Sequence, residues 1–503
     1  MAKEAHLRGK IKEPPAPEVM QYLVGPQLTP VEIKRAFRHY VLCNKAHVLM
    51  LAKQKIIGKD AARKILKVAK DMGDMGDEPT FKMRTDLEEI YFNLENYLIT
   101  KTSLEVGGQQ HTARSRNDLH AAAERLEARA AYFEVCRAYI ALRETLLTLA
   151  KNNTDAVMSG YTHLQPSEPI TFAHYLSAVL ASLDRAYARL EEAYARLNLN
   201  ALGGTSMGST TWNIDRRYTT KLMGFDGLVE NSIDCVGSRD YMVEIAHDLA
   251  DFGLTISRLA MDLWIWSTPE YGYLEVRDAV AACSSIMPQK KNPWTFESLR
   301  SMASRIKADA DAVWMTVKGV PYTFTVEVAD QQTPFWPCVE ESIAAMRILS
   351  ATVTGMKVKK DVMVKKAAAN FCTVTELANF LVRIDGFSFR AAHEIVADVV
   401  EYMLVHGLKA NEIDRKILNK ITQKLFKKDS KMSESDIKDA LDPARSVSLR
   451  AVEGGSAPKE VKRQLGILEA NLKANKKTLA NREKAVEKAL AACDAEVAKL
   501  LKK

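Results

Sequence analysis

Three unusually long stretches of helical periodicity constrain the fold of this chain more than any other feature. Apolar residues recur at three- and four-residue intervals over about 118–150, 171–197 and 238–266, whereas strand-like alternation is nearly absent. Helices of about thirty residues measure roughly 45 Å, which exceeds the usual globular helix. Two further long helices are predicted over 297–317 and 338–356. The sequence therefore predicts an all-α protein built around a long helical bundle.

Changes in composition divide the 503 residues into three predicted domains. Residues 1–112 form a helical domain with Pro-rich punctuation, and 113–364 hold the long-helix bundle. Residues 365–503 are expected to form a small helical domain with shorter helices and more lysine. Apolar stripes as wide as those of the long helices often need partner subunits to cover them, so an oligomer is expected.

The composition narrows the class of protein. The chain is 47% hydrophobic and 27% charged, as in ordinary globular proteins. No run of about 18 apolar residues predicts a membrane span. The N-terminal residues lack the apolar core of a secretion signal, so a cytoplasmic protein is expected. Seven scattered cysteines without a Cys-x-x-Cys pair predict reduced, mostly buried thiols.

The charge of the chain is mildly basic. A net charge of +8 comes from 71 basic and 63 acidic residues, with lysines most frequent after Gly407. A solvated lysine-rich surface is preferred over nucleic-acid binding as the interpretation of this excess. A weak positive field also favours an anionic small-molecule substrate.

The most informative polar segment is 283–293, with the sequence Cys-Ser-Ser-Ile-Met-Pro-Gln-Lys-Lys-Asn-Pro. Ser284 is followed by a cation, Lys290, and by Asn292, which is expected to cap a helix that starts at the next proline. These groups can stabilise negative charge when a proton next to a carboxylate is removed, with Ser284 as the base. Glu297, one turn into that helix, could orient a histidine from another segment or could simply complement the helix dipole.

A second polar cluster, 107–118, comes just before the first long helix. Ser115, Arg116 and Asn117 offer a hydroxyl, a guanidinium and an amide, a set suited to binding a carboxylate. Backbone amides at the helix start would add further donors. The alternative is an ordinary capping segment, in which Ser115 or Asn117 is the cap.

A third cluster, 159–166, lies in the connection between the first two long helices. His163 in this position could exchange a proton near neutral pH, although a histidine in a connection can also be structural. Thr162 could bind a ligand or could merely satisfy a turn. Taken alone, this cluster does not decide between these interpretations.

Familiar nucleotide and metal motifs are absent from the sequence. The stretch 203–208, Gly-Gly-Thr-Ser-Met-Gly, lacks the Gly-Lys-Ser/Thr ending of a phosphate loop. No His-Glu-x-x-His motif and no clustered Cys/His ligand set are present. Neither a cofactor nor a metal is therefore expected.

The three polar clusters, in this order and around long helices, resemble the fumarase/aspartase superfamily. Within it, residues 111–118, 160–165 and 284–293 are most similar to the argininosuccinate lyase family, and the likeness extends over nearly the whole chain. The resemblance implies a three-domain, all-helical protomer. It also implies that four protomers form a twenty-helix core, with each active site built from three subunits.

The resemblance further implies a reaction. Members of the superfamily cleave a C–N or C–O bond by anti β-elimination and release fumarate. Carried over by position, Ser284 would be the general base, and Lys290 and Asn292 would stabilise the aci-carboxylate intermediate. His163, paired with Glu297, would assist protonation of the departing amine or position the substrate.

The same resemblance implies how the substrate is held. The expected substrate is a small anionic N-succinyl compound, argininosuccinate or a related molecule. Its succinyl carboxylates would be bound by Ser115, Arg116, Asn117 and Thr162. No nucleic acid, membrane or cofactor takes part.

The amine half of the site departs from the family pattern. Phe324, Ala329 and Gln332 stand where the family usually has a Tyr, a Gln and a Lys that hold the arginine moiety. Losing a hydroxyl, an amide and a cation would leave arginine's carboxylate and amine poorly held. Leu-Arg-Gly-Lys at 7–10 also replaces a Gly-Gly-Arg-Phe-Ser pattern, and Cys283 replaces a glycine, which would stiffen the loop.

Three alternatives to an argininosuccinate-cleaving enzyme follow. The first is a lyase for another N-succinyl amine, such as an ethylenediamine-disuccinate lyase. The second is a catalytically silent structural protein resembling the delta-crystallins, and the third is a basic nucleic-acid-binding protein. The joint presence of His163, Ser284, Lys290 and Glu297 favours an enzyme.

Overall fold

A computed structural model describes residues 13–502, and helices dominate this part of the chain. The N-terminal helices are α1 Pro17–Val19, α2 Pro30–Lys53, α3 Lys59–Gly73, α4 Ile90–Lys101 and α5 Leu104–Gly107. The central helices are α6 Arg116–Lys151, α7 Phe172–Leu197, α8 Arg216–Met223, α9 Ser232–Gly237, α10 Asp240–Trp266, α11 Trp294–Thr316, α12 Val326–Asp330 and α13 Gln332–Val353. The C-terminal helices are α14 Lys360–Ala369, α15 Val374–Phe380, α16 Phe389–Val405, α17 Arg415–Phe426, α18 Glu434–Leu441, α19 Pro443–Leu449 and α20 Pro458–Lys502.

The strands within 13–502 are short and pair two by two. They are β1 Val157–Thr162, β2 Gln165–Thr171, β3 Leu199–Asn200, β4 Gly227–Leu228, β5 Leu274–Glu275, β6 Ala282–Cys283, β7 Lys291–Asn292 and β8 Lys357–Val358. The pairs β1–β2, β5–β8 and β6–β7 are antiparallel, and β3–β4 is parallel. The β1–β2 hairpin and the β6–β7 ladder matter for function, because each carries one of the polar clusters.

The five long helices predicted for the middle of the chain are confirmed as α6, α7, α10, α11 and α13. They pack against one another as a bundle in which consecutive helices run in opposite directions. Arg125, near the start of α6, donates to the carbonyl of Arg196 at the end of α7 at 2.8 Å. Tyr175, near the start of α7, donates to Asp262 near the end of α10 at 2.5 Å. The bundle therefore has a front end, holding residues 115–129 and 196–203, and a rear end, holding 151–175 and 262–294.

Local sequence determines where the first two bundle helices begin. Ser115 caps α6, and its own backbone N–H is bound by the carboxylate of Asp118 in a capping box. Thr171 caps α7 by accepting the N–H of His174 at 3.0 Å. With 36 residues, α6 spans about 54 Å, which is the full length of the bundle.

The C-terminal helix α20 differs from the expectation of shorter helices beyond about residue 365. It has 45 residues and packs along α6, α7 and α8 before reaching α2 and α3. Its apolar positions form a narrow stripe three, four or seven residues apart, while lysines cover the outward face. This stripe is hard to recognise among so many lysines, and its buried members are Val461, Leu465, Leu468, Leu472, Leu479, Val486, Cys493 and Val497.

Three large hydrophobic clusters and a small fourth one, around Ala121 and Ala201, organise the described part of the chain. The largest joins α6, α7, α10, α11 and α13 with most of α20. A second joins α2, α3 and α4 with the start of α6 and the end of α20, and a third joins α15–α18. The three-domain boundaries drawn from the sequence stay a prediction, and both α6 and α20 cross between the first two clusters. Over residues 13–502, no helix is both long enough and apolar enough to traverse a bilayer.

Candidate active site

The front end of the bundle carries the first polar cluster. Ser115 accepts the N–H of Asn117 at 3.3 Å as the helix cap, so the capping role of its hydroxyl is observed. Arg116 is half-exposed and lies 3.3–3.4 Å from the carboxylates of Glu88 and Glu89. Arg116 and the first-turn amides thus both lie at the start of α6, where an anion could bind.

The 203–209 loop, which includes the glycine-rich stretch 203–208, adjoins this cluster. The side-chain amide of Asn117 donates to the carbonyl of Ser206 at 3.3 Å, and the buried carboxylate of Asp118 accepts the N–H of Gly203 at 2.8 Å. Burial raises the pKa of Asp118 despite backbone N–H groups that lower it. Thr205 and Ser209 have positive φ angles of 53° and 59°, so the loop stores backbone strain next to the cluster.

The second cluster forms the tip of the β1–β2 hairpin at the rear end, rather than an irregular connection. Thr162 and His163 are exposed there. His163 and Leu164 both have positive φ, 55° and 58°, as a two-residue type I′ turn requires. Asn-Gly is the usual sequence of a type I′ turn, so the dipeptide His-Leu did not predict one here. The hairpin is anchored by the hydroxyls of Tyr161 and Tyr273, which lie 2.7 Å apart.

The serine segment is a loop, also at the rear end, closed by the β6–β7 ladder. Cys283 pairs with Lys291 and Ala282 with Asn292, so residues 284–290 project together from a short stem. Ser284 Oγ accepts the backbone N–H of Met287 at 3.1 Å and that of Ile286 at 3.4 Å. Two donors directed at one oxygen stabilise negative charge that develops on it.

The two lysines of this loop differ in their surroundings. Lys291 pairs with Asp278 at 2.7 Å and Glu275 at 3.5 Å, and the hydrogen bond to Asp278 raises its pKa. Within residues 13–502 the ammonium of Lys290 has neither an ion pair nor a hydrogen bond, which leaves it available for an anion. Asn292 lies in β7 and does not cap the helix as predicted. Pro293 occupies the cap position and α11 starts at Trp294, because pairing with Ala282 draws Asn292 into the ladder.

Glu297 lies in the first turn of α11, exposed to solvent. No contact joins it to His163 within one chain. The front-end residues Ser115, Arg116 and Asn117 are separated from both rear-end clusters by the length of α6, about 54 Å. The hairpin has six or seven residues a strand and spans only about 20 Å, too little to close this gap.

The positions that depart from the family pattern line a cavity of about 690 Å³ beside Arg116. Phe324, Ala329 and Gln332 contribute to its wall, opposite the face of α6 that carries Arg116 and His120. His120 Nε2 lies 2.8 Å from Glu89. Burial would lower the pKa of His120, but the Glu89 carboxylate outweighs it and the net shift is upward.

Sequence reasoning missed several residues of this cavity, His120, Glu124 and Glu127 among them. Spaced with Arg116 at intervals of four, four and three, they occupy one face of α6. That spacing was visible in the sequence, but charged residues on a helix face normally signal solvent. The replaced pattern at 7–10 lies outside the described residues.

The cysteines follow the expectation of reduced, mostly buried thiols. All seven are unpaired, six are buried, and Cys283 of the serine loop is exposed. Among residues 13–502, no group of three or more His, Cys, Asp or Glu side chains is placed to hold a metal ion.

Two family models match the chain. One, described as Lyase, covers residues 29–308, and the other, described as Argininosuccinate lyase C-terminal, covers 371–448. Argininosuccinate lyase 1 of Shouchella clausii is 40% identical over 482 residues, which is 96% of each chain. Argininosuccinate lyase of Methanocaldococcus jannaschii is 35% identical over 439 residues, 87% of this chain and 89% of the relative.

Solved structures give a consistent result. An EDDS lyase variant with bound fumarate superposes with a TM-score of 0.86 at 31% identity, covering 99% of this chain and 98% of its own. A fumarate lyase from Mesorhizobium sp. BNC1 superposes with a TM-score of 0.71 at 20% identity, covering 88% and 97% of the two chains, and shows the fold alone.

Proposed function

Because the chain belongs to the argininosuccinate lyase family, and is therefore a carbon–nitrogen lyase, we propose that it catalyses reversible anti β-elimination of fumarate from an N-substituted aspartate. Ser284 removes a proton from the succinyl carbon next to a carboxylate. The electron pair delocalises into that carboxylate, giving an aci-carboxylate. The electron pair then returns from the carboxylate to form the C=C bond of fumarate. At the same time the C–N bond breaks, and the departing amine takes up a proton.

The environment of Ser284 carries the proposal. An unassisted serine is a poor base, so its anionic form has to be stabilised. The N–H groups of Ile286 and Met287, which Ser284 Oγ accepts, supply that stabilisation from within the loop. Lys290 and Asn292 then stabilise the aci-carboxylate, and Lys290 suits this role because its ammonium is not engaged as that of Lys291 is.

Substrate binding is assigned to the other clusters. Ser115, Arg116, Asn117 and Thr162 bind the succinyl carboxylates. His163, oriented by Glu297, assists protonation of the leaving amine or positions the substrate. The strained turn that presents His163 is consistent with a functional role, since such conformations persist where a particular side-chain position is needed.

The separation of the clusters supports a shared site. One chain places Arg116 at the front end and Ser284 and His163 at the rear end, with about 54 Å of α6 between them. Copies that pack side by side in opposite directions bring a front end of one subunit to a rear end of another. We therefore propose a homotetramer whose bundles form a twenty-helix core, with each site built from three subunits.

The amine remains open between two candidates. Argininosuccinate is the substrate named by the relatives, whereas Phe324, Ala329 and Gln332 favour a different amine. The structural likeness to EDDS lyase makes a lyase of that kind the second candidate. A catalytically silent, delta-crystallin-like protein is the alternative from another class, and it predicts no turnover with any amine.

A pair of serine variants tests the proposal. Fumarate formation from argininosuccinate and from N-succinyl diamines is followed by ultraviolet absorbance. Fumarate is also incubated with an amine panel that includes arginine and small diamines, and adducts are identified by mass spectrometry. Ser284→Ala should reduce turnover by roughly 10²–10⁴-fold, while the neighbouring Ser285→Ala should retain most of it. Normal turnover by Ser284→Ala would remove Ser284 from the mechanism.

A further inference from the structure

The cavity beside Arg116 has an unusually acidic lining for a site that binds an anionic succinyl group. Its acidic side chains come from α2, from the segment before α4, from α6 and from α12 and α13. They include Glu32, Glu89, Glu124, Glu127, Asp330 and Glu340. The basic groups facing them are Arg35, Arg116 and His120.

One face of α6 forms the cavity floor and changes character along its length. Arg116 begins it, and Glu127 lies eleven residues further on, about 16 Å along the helix axis. Side chains on a helix lean toward its N-terminus, so the Glu127 carboxylate is directed back into the cavity. The floor therefore carries a cation at one end, where Arg116 lies beside Glu88 and Glu89, and an acid at the other.

Most charges in this cavity already have partners. Glu89 pairs with His120, and buried Glu124 pairs with Arg239, whose side chain is fully buried. Arg35 lies 4.3 Å over the ring of Trp336 and binds both Glu32 and Glu340, at 2.9 and 2.8 Å. The guanidinium of Arg35 is thus shared between two other carboxylates.

Of the two buried carboxylates that line the cavity, Glu124 and Glu127, only Glu127 has no partner within residues 13–502. It is 5% exposed, and no hydrogen bond or ion pair reaches its carboxylate from anywhere in residues 13–502. Burial, together with the charge of Glu124, raises the pKa of Glu127 well above its usual range. A carboxyl group kept unpaired in a largely buried cavity wall is costly unless a ligand supplies the missing cation.

We propose, as a refinement that rests on the proposed function, that the amine half of the substrate ends in a second cationic group and that Glu127 binds it. The substrate class is an N-succinyl derivative of a linear diamine or an aminoalkylguanidine. The second cation carries no neighbouring carboxylate, because Phe324, Ala329 and Gln332 offer that end no basic partner. The 16 Å span of the floor selects a linear spacer over a compact amine.

The turnover experiment uses matched amines with the whole 503-residue chain and fumarate. 1,4-Diaminobutane is compared with pentylamine, which has similar length but one charge, and agmatine with arginine, which adds a carboxylate. The diamine should give kcat/KM roughly 10- to 100-fold above pentylamine, and agmatine should exceed arginine. Equal rates within the first pair, or a preference for arginine, would overturn the inference.

Two variants of α6 test whether Glu127 causes the preference for 1,4-diaminobutane. Glu127→Gln should abolish the preference for 1,4-diaminobutane while changing the kcat/KM of pentylamine by less than about twofold. The matched control is Glu134→Gln, on the same helix but outside the cavity and paired with Arg347 at 2.8 Å. A preference that survives Glu127→Gln, or disappears equally in Glu134→Gln, would contradict the assignment.

Direct binding separates this inference from the proposed function. Calorimetric titration of the protein with 1,4-diaminobutane needs no turnover and should show binding that Glu127→Gln weakens by roughly tenfold or more. Binding of this kind without any fumarate adduct would defeat the proposed reaction and still support Glu127 as a cation site. If the wild type and Glu127→Gln formed adducts equally well, the proposed reaction would be supported and the role of Glu127 in binding a cation would be contradicted.

Discussion

The buried carboxylate of Asp118 joins the start of α6 to the 203–209 loop. It accepts the N–H of Ser115 at 3.0 Å and the N–H of Gly203 at 2.8 Å, and its side chain is fully buried. Replacing it in Asp118→Ala leaves both donors without a partner. The start of α6, where Arg116 and Asn117 lie, should then lose its fixed position relative to the loop.

The magnitude follows from the two lost hydrogen bonds. A buried N–H left unsatisfied costs about 1–3 kcal/mol. Gly203 is buried and Ser115 is partly buried, so the two together cost at most about 2–6 kcal/mol. Part of this is offset, because burying the Asp118 carboxylate is itself unfavourable, as its raised pKa indicates. The expected net loss of stability is about 2–4 kcal/mol.

The assay is urea unfolding followed by circular dichroism, at one fixed protein concentration because an oligomer's stability depends on it. The control is Asp436→Ala, which removes the same capping-box carboxylate from α18, where Asp436 is exposed. This control should lose much less stability. A loss below about 0.5 kcal/mol for Asp118→Ala, or equal losses for the two variants, would refute this reasoning.

The remaining predictions concern charge at the two ends of the bundle. Because the folded-state pKa of Glu127 lies above its ordinary value of 4.5, the contribution of Glu127 to wild-type stability should fall as pH rises above about 4.5. Glu127→Gln removes this loss, so its advantage in thermal unfolding should grow with pH and level off above the folded-state pKa. Glu124 and Glu32 oppose ionisation of Glu127, and Arg35 favours it. If the stability advantage of Glu127→Gln shrank with rising pH, the raised pKa of Glu127 would be contradicted. At the rear end, Lys290→Met should lower kcat by roughly 10²-fold or more through loss of anion stabilisation, whereas Lys291→Met should mainly weaken the loop stem. Equal effects of the two on kcat would contradict the distinction drawn from their ion pairs.

Helical periodicity predicted the bundle well because apolar stripes of this length arise mainly where long helices pack against one another. The five central helices appear within a few residues of their predicted ends, apart from α13, which starts six residues earlier. The sequence did not predict the long helix α20, because its apolar stripe is narrow and lies among lysines, which are equally typical of a solvated tail. The sequence did not predict the β1–β2 hairpin, because His163 and Leu164 adopt left-handed conformations that these residue types rarely adopt.

The polar clusters could be found from the sequence, but their surroundings could not. Ser284, Lys290 and Asn292 are close in sequence, whereas the burial of Glu127 depends on α2 and α13 covering that face of α6. A glutamate on a long helix gives the same sequence signal whether solvent or a cavity faces it. The cap at Pro293 depends on the pairing of Asn292 with Ala282, ten residues away, which residue preferences alone do not encode.

Subunit mixing tests most directly the central claim that each site combines a front end with rear ends from other subunits. Arg116→Ala and Ser284→Ala, each inactive alone, are dissociated, mixed and reassembled, and fumarate release is measured. Activity should return, because some sites combine Arg116 from one variant with Ser284 from the other. Arg116→Ala mixed with Asn117→Ala should stay inactive, since one subunit supplies both residues to a site. If the first mixture stayed as inactive as its components, the shared site would be contradicted.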